Sequence, residues 1–194
     1  MATPSPVADV PARPAPVGGP DAVDARASRV VLSHVMGHQD TNLYGSVHGG
    51  AVMRLIDEAA AAAAGRHAGM PAVTVAVDGM HFLAPAHIGD LMTARAQLIA
   101  VGRTSMRVQV VVTAERWNDL GPVVMVATAE LVFVAVEHQG NPQGVPPFVA
   151  GDLEWLYETT TEPHPNHTFV PAEIGQRPRR RRDAEASPST LGDF

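Results

Sequence analysis

The sequence has 194 residues, 45% of them hydrophobic, and a formal net charge of −6, so it suits one domain with a substantial core and lacks the positive footprint of a nucleic-acid-binding protein. Its longest uncharged apolar run, residues 59–65, is far shorter than the ~20 residues that span a membrane. Cysteine is absent, which excludes disulfides and thiolate sites and fits a cytoplasmic protein.

The first third of the chain predicts a leader, a strand, a loop and a helix. Residues 1–26 are rich in proline, alanine and glycine without periodicity, which indicates a disordered leader, and they show no secretory signal. Aliphatic residues within 28–36 predict a first strand, and residues 37–48 predict a loop. A helix is expected from about Gly49 to His67, because the glycine and proline at Gly69 to Pro71 stop it.

Four strands are expected after the helix. They are rich in valine and threonine, and they span residues 72–80, 91–101, 105–116 and 122–137. Alternation is clearest in the third of them, where Met106, Val108 and Val110 share one face. The order of one strand, one long apolar helix and four strands predicts an α+β fold, in which a single antiparallel sheet curves around a buried helix.

The chain becomes rich in proline again after the last predicted strand. We expect residues 139–194 to form a largely mobile extension with a short helix at 151–160. Five arginines lie together in it, at Arg177 and at Arg179 to Arg182, and are typical of a solvated tail, although they also suit an acidic partner. The folded domain is therefore expected over residues 27–138.

The loop and the start of the helix hold the densest group of reactive side chains. Gly49 and Gly50 open the helix, where unpaired backbone amides and the positive end of the helix dipole stabilise an anion. Asp57 follows two turns later and offers a base, but a solvent-facing carboxylate explains it equally well. Asn42 offers a hydrogen-bond donor, but an asparagine in such a turn often bonds nearby backbone. His48 is a secondary candidate as a base, an orienting group or a cap.

Other kinds of site have weaker signals. The nine histidines lack ligand spacing and cysteine is absent, so no metal site is expected. Neither a Walker loop nor a Gly-x-Ser-x-Gly motif occurs. The turn at Arg103, Thr104 and Ser105 offers a cation and two hydroxyls, which suit a phosphate but equally suit water.

Three blocks of the sequence resemble the signature segments of the hotdog-fold acyl-CoA thioesterases. The blocks are Asp40-Thr41-Asn42 with Gly45, His48-Gly49-Gly50 and Asp57; Val77 to Pro85 with Gly89-Asp90; and Val101 to Ser105. The resemblance covers roughly residues 28–137. It implies a hotdog fold, which is a curved antiparallel sheet wrapped around one long central helix.

The resemblance also implies a reaction and assigns roles. The reaction is hydrolysis of fatty acyl-CoA to free fatty acid and CoA, without a metal or cofactor. Asp57 is then the general base or the nucleophile, Asn42 orients the water or the carbonyl, and the Gly50 amide donates to the oxyanion. His48 and Gly49 would adjoin the substrate.

Binding and assembly are further implications of the same resemblance. Arg103, Thr104 and Ser105 would lie near the CoA phosphates. The protein would form a homodimer whose sheets join edge to edge, assembled further into a tetramer or hexamer. Asn42 and Asp57 would meet from opposite subunits.

Two other functions remain open on the sequence. A hotdog hydratase or dehydratase acting on enoyl thioesters would carry a histidine where this chain has Gly45, which argues against it. A non-catalytic acyl-CoA-binding module would need no base, and the presence of both Asn42 and Asp57 argues against that. Leu43-Tyr44 replaces the Pro-Asn that is frequent in the family, so the bulky Tyr44 bears on the acyl length accepted.

Overall fold

The computed structural model describes residues 21–116 and 121–158. The elements are strands β1 (Val23–Asp24) and β2 (Val30–Val35), helix α1 (Gly49–Ala68), and strands β3 (Ala72–Phe82), β4 (Leu91–Val101), β5 (Ser105–Glu115), β6 (Val124–Ala135) and β7 (Phe148–Val149). Three short 3-10 helices lie at Ala25–Ser28, His38–Asp40 and Glu154–Tyr157. The predicted α+β class is confirmed, and the predicted helix and five strands end within a few residues of the observed ones.

Five strands form one antiparallel sheet in the order β2-β4-β5-β6-β3. Helix α1 packs on one face of this sheet and contacts all five strands. Its alanines at 59, 60, 63 and 64 are fully buried, because their small side chains let the curved sheet approach closely. Met106, Val108 and Val110 are fully buried too, as their alternation predicts.

The two edges of the sheet differ in length and in cover. Strand β2 has six residues, whereas β3 has eleven and contains two bulges, at Val75 and at Asp78. Most of β3 is exposed, and its exposed large apolar residues are Val73, Val75, Val77 and Phe82. A long apolar edge of this kind readily pairs with another strand.

The terminal segments pair with each other at the margin of the sheet, and the C-terminal one continues onto the face opposite α1. Strand β1 pairs in parallel with β7, and Asp152 forms an ion pair with Arg29 at 3.0 Å. Two guanidinium groups lie over the Trp155 ring, that of Arg29 at 4.8 Å from the ring centroid and that of Arg95 at 5.5 Å. The predicted short helix at 151–160 corresponds to the 3-10 helix Glu154–Tyr157.

The domain boundaries stay a prediction. Residues 1–20 of the predicted leader and residues 159–194 of the predicted extension, with its arginine cluster, lie outside the described residues. The described part of each terminal segment packs on the domain, since Ala25 of the N-terminal segment and Phe148 and Leu156 of the C-terminal one are buried. No helix within residues 21–116 and 121–158 has the length and apolar character needed to cross a membrane.

Candidate active site

The start of α1 is an open helix end. His48 is the N-cap and makes no side-chain capping bond, and its exposed imidazole has no hydrogen-bond partner among the described residues. The amides of Gly49 and Gly50 likewise donate to no described residue, whereas the Ala51 amide already bonds the His48 carbonyl at 2.9 Å. Two unpaired N–H groups at the positive end of the helix dipole are suited to bind an anion.

A solvent-open cavity whose lining side chains are mainly apolar adjoins this helix end. It has a volume of about 340 Å³, and its lining includes Gly49, Val52, Phe82, Pro85 and Val126. Phe82, the last residue of β3, lies beside the helix start: a Cβ added at Gly49 would sit 3.6 Å from its ring. A chain of apolar atoms can therefore lie beside the open amides.

The loop before the helix is held by the side chain of Asn42. Its Oδ1 accepts from the Tyr44 amide at 2.8 Å and from the Ser46 amide at 3.3 Å, and its Nδ2 donates to Ser46 Oγ at 3.0 Å. Gly45 takes the left-handed conformation, with φ of 78°, that closes the turn. The structural role that turn chemistry predicts for Asn42 is thus present, and one amide hydrogen stays available for a ligand.

Asp40 anchors the same loop; it belongs to the first signature block of the sequence, which assigned it no role. Its carboxylate is 4% exposed and accepts from the Gly37 amide at 2.9 Å and lies 3.3 Å from His34 Nε2. The Gly37 amide, helped by His34 and Arg54, holds the pKa of Asp40 below its usual range against the opposing effect of burial. The Asp40 carbonyl also accepts from the His48 amide at 2.7 Å, which ties the loop to the helix start.

The polar residues of α1 divide between two sides of the helix. Arg54 lies 3.8 Å from Asp40 and 4.0 Å from Glu58, in a groove of about 280 Å³ between α1 and β2. Asp57 instead faces β3, where it accepts from Thr74 Oγ1 at 2.6 Å. Arg54 and Glu58 therefore pair one helical turn apart, and Asp57 is not part of this pair.

Thr74 is a site residue that sequence analysis missed. A helix advances 1.5 Å per residue and a strand about 3.3 Å per residue. Eleven helix residues therefore cover about the same length as five strand residues. When the strand after a helix runs back along it, a residue eleven positions before the helix end lies opposite one about five positions after the turn. Asp57 and Thr74 fit this relation across the turn at Gly69. The signal was present in the spacing of the predicted elements.

The turn predicted to bind phosphate lies at the other end of α1. The Thr104 carbonyl accepts from the Ala135 amide at 3.0 Å, and the Val136 amide donates to Pro71, just beyond the helix end. Helix α1 has 20 residues and is therefore about 30 Å long, so Arg103, Thr104 and Ser105 are far from Gly50 within one protomer. Arg103 is exposed, and its guanidinium has no partner in the described part of the chain.

Arg107, four residues after Arg103, already has two carboxylate partners. Its guanidinium donates to Asp78 of β3 and to Glu130 of β6, across three strands of the outer face. Two carboxylates on one cation leave this cluster with net negative charge, which repels a phosphate.

Within one protomer these groups do not form a single cluster. Asn42 bonds its own loop, Asp57 bonds Thr74, and no hydrogen bond joins the two among the described residues. The Cα atom of Asp57 lies about 10 Å from that of Gly50 along the helix axis. The side chains of a helix lean towards its N-terminus, so the Asp57 carboxylate is closer to Gly50 than its Cα atom is. No three histidine, aspartate or glutamate side chains within residues 21–116 and 121–158 are grouped as a metal site.

The chain is similar in sequence to thioester hydrolases. The family model described as the thioesterase superfamily matches residues 44–117. A protein of Zymomonas mobilis, described as an uncharacterized acyl-CoA thioester hydrolase, is 37% identical over 111 residues, which cover 56% of this chain and 72% of that relative. Another of the same description, from Bacillus subtilis, is 31% identical over 173 residues, which cover 89% of this chain and 95% of the relative.

Solved structures show the same fold. An acyl-CoA hydrolase of Staphylococcus aureus, solved with butyryl coenzyme A, coenzyme A and coenzyme A disulfide, superposes with a TM-score of 0.63 at 32% identity, covering 70% of this chain and 83% of its own. A hexameric hotdog-fold thioesterase of Campylobacter jejuni superposes with a TM-score of 0.56 at 33% identity. The superposition covers 59% of this chain and 87% of that thioesterase. The predicted hotdog fold is confirmed.

Three substituted variants of the S. aureus enzyme have also been solved, with alanine at an asparagine, an aspartate or a threonine. These positions are separated in turn by 15 and 17 residues. The same two intervals separate Asn42, Asp57 and Thr74 in this chain.

Proposed function

This chain belongs to the thioesterase superfamily and is a thioester hydrolase, and we propose that it hydrolyses fatty acyl-CoA to free fatty acid and CoA at a site shared by two subunits. The observation that carries this proposal is the open start of α1. Its free amides adjoin an apolar cavity and share their helix with Asp57. Hydrolysis of a thioester needs these parts: an oxyanion site, an apolar place for the acyl chain and a base.

The helix start stabilises the tetrahedral intermediate. Attack on the thioester carbonyl places a negative charge on its oxygen, and preorganised N–H donors at that point lower the barrier. The Gly50 amide is the proposed donor, with Gly49 and His48 beside the substrate. No rearrangement is required, because these amides are already unpaired.

Asp57 activates the attack. As a general base it removes a proton from water, which adds to the carbonyl, and collapse of the intermediate expels the CoA thiolate. As a nucleophile it forms an anhydride that water then hydrolyses. In both routes Thr74 is a positioning residue, since its hydroxyl donates to one carboxylate oxygen and leaves the other free.

Asn42 belongs to the same site through a second subunit. Edge-to-edge pairing of two β3 strands buries the exposed apolar edge and forms a homodimer. The Asp57–Thr74 pair lies at this edge, so the Asn42 loop of one subunit meets Asp57 of the partner subunit. Further association to a tetramer or hexamer agrees with the hexameric C. jejuni relative.

The same symmetry brings the phosphate-binding turn to the site. Two β3 strands related by a two-fold axis normal to the sheet run antiparallel, and so do the two α1 helices. The C-terminal end of one helix then lies at the same end of the dimer as the N-terminal end of the other. We therefore propose that Arg103, Thr104 and Ser105 of one subunit bind CoA phosphates at the other's site. We also propose a cytoplasmic location, in line with a sequence free of cysteine.

The test of this function is thiol release from a panel of acyl-CoA substrates, run on wild type and on Asp57→Ala. The substitution should lower kcat by ~10²–10⁴-fold, because it removes the base. Thr74→Val should cause a smaller loss, since the carboxylate remains without its orienting bond. The matched control is Glu58→Ala, one residue along the helix and facing β2. Equal rates for Asp57→Ala and wild type would rule out the assigned base.

A single turnover in water labelled with oxygen-18 separates the two routes. General-base catalysis places the label in the first fatty acid released. A carboxylate nucleophile instead transfers one of its own unlabelled oxygens in the first turnover when water attacks the Asp57 carbonyl of the anhydride. Unlabelled fatty acid in the first turnover, detected by mass spectrometry, therefore identifies Asp57 as a nucleophile.

A further inference from the structure

Leu43 and Tyr44 stand apart from every other apolar side chain on the described surface. Their exposed fractions are 102% and 93%, whereas the other exposed large hydrophobic residues among the described ones lie between 40% and 54%. Contiguous apolar side chains that project this far into water usually mark a contact site.

The tip that carries them has a fixed shape. The Asn42 amide donates to the Ser46 carbonyl at 2.8 Å, and the Asn42 side chain accepts from the Tyr44 amide at 2.8 Å. Ser46 also forms a β-bridge with His87, which attaches the base of the tip to the domain. Because the backbone is already ordered, docking of the two side chains costs little backbone entropy.

The tip adjoins the proposed dimer interface. Ser46 and Gly49 at its base line the same cavity as Phe82, the exposed last residue of β3. The apolar surface therefore runs from the tip, past the helix start, to the strand edge at which a second copy is proposed to pair.

The occupant of this surface follows from the position of Asn42. In the shared site, Asn42 meets the thioester beside Asp57 of the partner subunit. Consecutive Cα atoms lie 3.8 Å apart, so Leu43 and Tyr44 are within about 8 Å of Asn42 along the chain. They reach the rim of the same site. The side chains that line the cavity there, Phe82 and Val126 among them, are apolar and suit the acyl arm of the thioester better than the polar pantetheine arm.

We infer that Leu43 and Tyr44 are specificity-determining residues, which insert beside the partner subunit's site and limit the length of the acyl chain it accepts. This inference rests on the proposed function, in which the site is shared. Tyr44 is the larger of the two, and its ring forms the wall that a long chain meets. A smaller side chain at this position admits longer chains, and a larger one excludes them.

The experiment measures chain-length profiles for wild type, Tyr44→Ala, Tyr44→Trp and Leu43→Ala. Each protein is assayed for kcat/KM on acyl-CoA substrates from four to sixteen carbons, and for binding of the matching non-hydrolysable thioether analogues by calorimetry. We expect Tyr44→Ala to raise the preference for long over short chains at least ~10-fold, since one methylene can change discrimination by that factor. Tyr44→Trp should shift the preference towards short chains.

The control is Tyr157→Ala, which removes the other tyrosine of the chain from an exposed position on the opposite face of the sheet. Its profile should match that of wild type. Unchanged binding profiles in both Tyr44 variants would overturn the inference, whether or not the enzyme turns over. If wild type binds the analogues but releases no thiol, the proposed function fails, while the binding profiles still decide the role of Tyr44.

Discussion

The two ends of α1 are built in opposite ways. At the N-terminal end the cap residue makes no side-chain bond, and the amides of Gly49 and Gly50 are left unpaired. At the C-terminal end Gly69 takes the left-handed conformation and donates to the Gly65 carbonyl at 2.9 Å, while His67 is sealed beneath Phe148.

This difference shows how one helix divides stability from chemistry. The closed end gains its stability from buried contacts with a segment distant in sequence. The open end leaves two donors unpaired, at a cost in helix stability, and we propose that they serve the negative charge of the reacting substrate. Substitutions at the closed end should therefore change stability, and those at the open end should change turnover.

The largest effect is expected from Phe148→Ala at the closed end. Phe148 is 3% exposed, and its ring packs edge-on against His67 with centroids 6.0 Å apart. Its removal should lower the free energy of unfolding by about 3–5 kcal/mol, as loss of a buried phenyl ring does. The measurement is urea denaturation, with Val149→Ala as the control at the exposed neighbouring residue. A large loss of kcat in the folded Phe148→Ala protein would contradict the expectation that substitutions at the C-terminal end of α1 change stability and not turnover.

Gly50→Pro should have the next largest effect, on turnover alone. Proline lacks an N–H group but is tolerated in the first turn of a helix, so the substitution removes the proposed oxyanion donor. We expect kcat to fall by ~10²–10³-fold with little change in thermal stability. Gly50→Ala keeps the amide, and its Cβ meets no atom within 4 Å, so it should lose far less activity. Equal losses in the two variants would show that the amide is not the donor.

The smallest effect is a pH dependence of stability at the closed end. Burial lowers the pKa of His67 from its usual 6.5, although the Pro146 carbonyl, 3.0 Å from Nε2, opposes this shift. At pH values below about 6.5 the unfolded chain therefore binds a proton at His67 more readily than the folded chain does. The stability of the folded state relative to the unfolded one is highest above about pH 6.5. As the pH falls below that value, the free energy of unfolding decreases by at most about 1.4 kcal/mol per pH unit. Denaturation curves between pH 5 and 8 should show this slope in wild type and a shallower one in His67→Gln.

Local patterns in the sequence predict the helix and the strands well. Alternating valines define β5, and the glycine and proline after Ala68 end the helix where the structure ends it. These signals act over a few residues, which is why they survive without knowledge of the rest of the fold.

The parts that the sequence does not reveal depend on distant contacts. The stacking of Trp155 on Arg29 and Arg95 brings together three separate segments, and nothing local indicates it. The distance between Arg103 and Gly50 is likewise set by the length of α1, not by either motif. A motif can therefore name candidate residues correctly and still leave open which subunit supplies them.

The shared site is tested most directly by mixing two inactive variants, Asn42→Ala and Asp57→Ala, through co-expression. In a two-fold dimer with sites built from opposite subunits, each mixed dimer has one site with both residues intact. Random pairing makes about half of the dimers mixed, so acyl-CoA hydrolysis should return to about a quarter of the wild-type rate. Activity no greater than that of the two variants assayed separately would contradict the account.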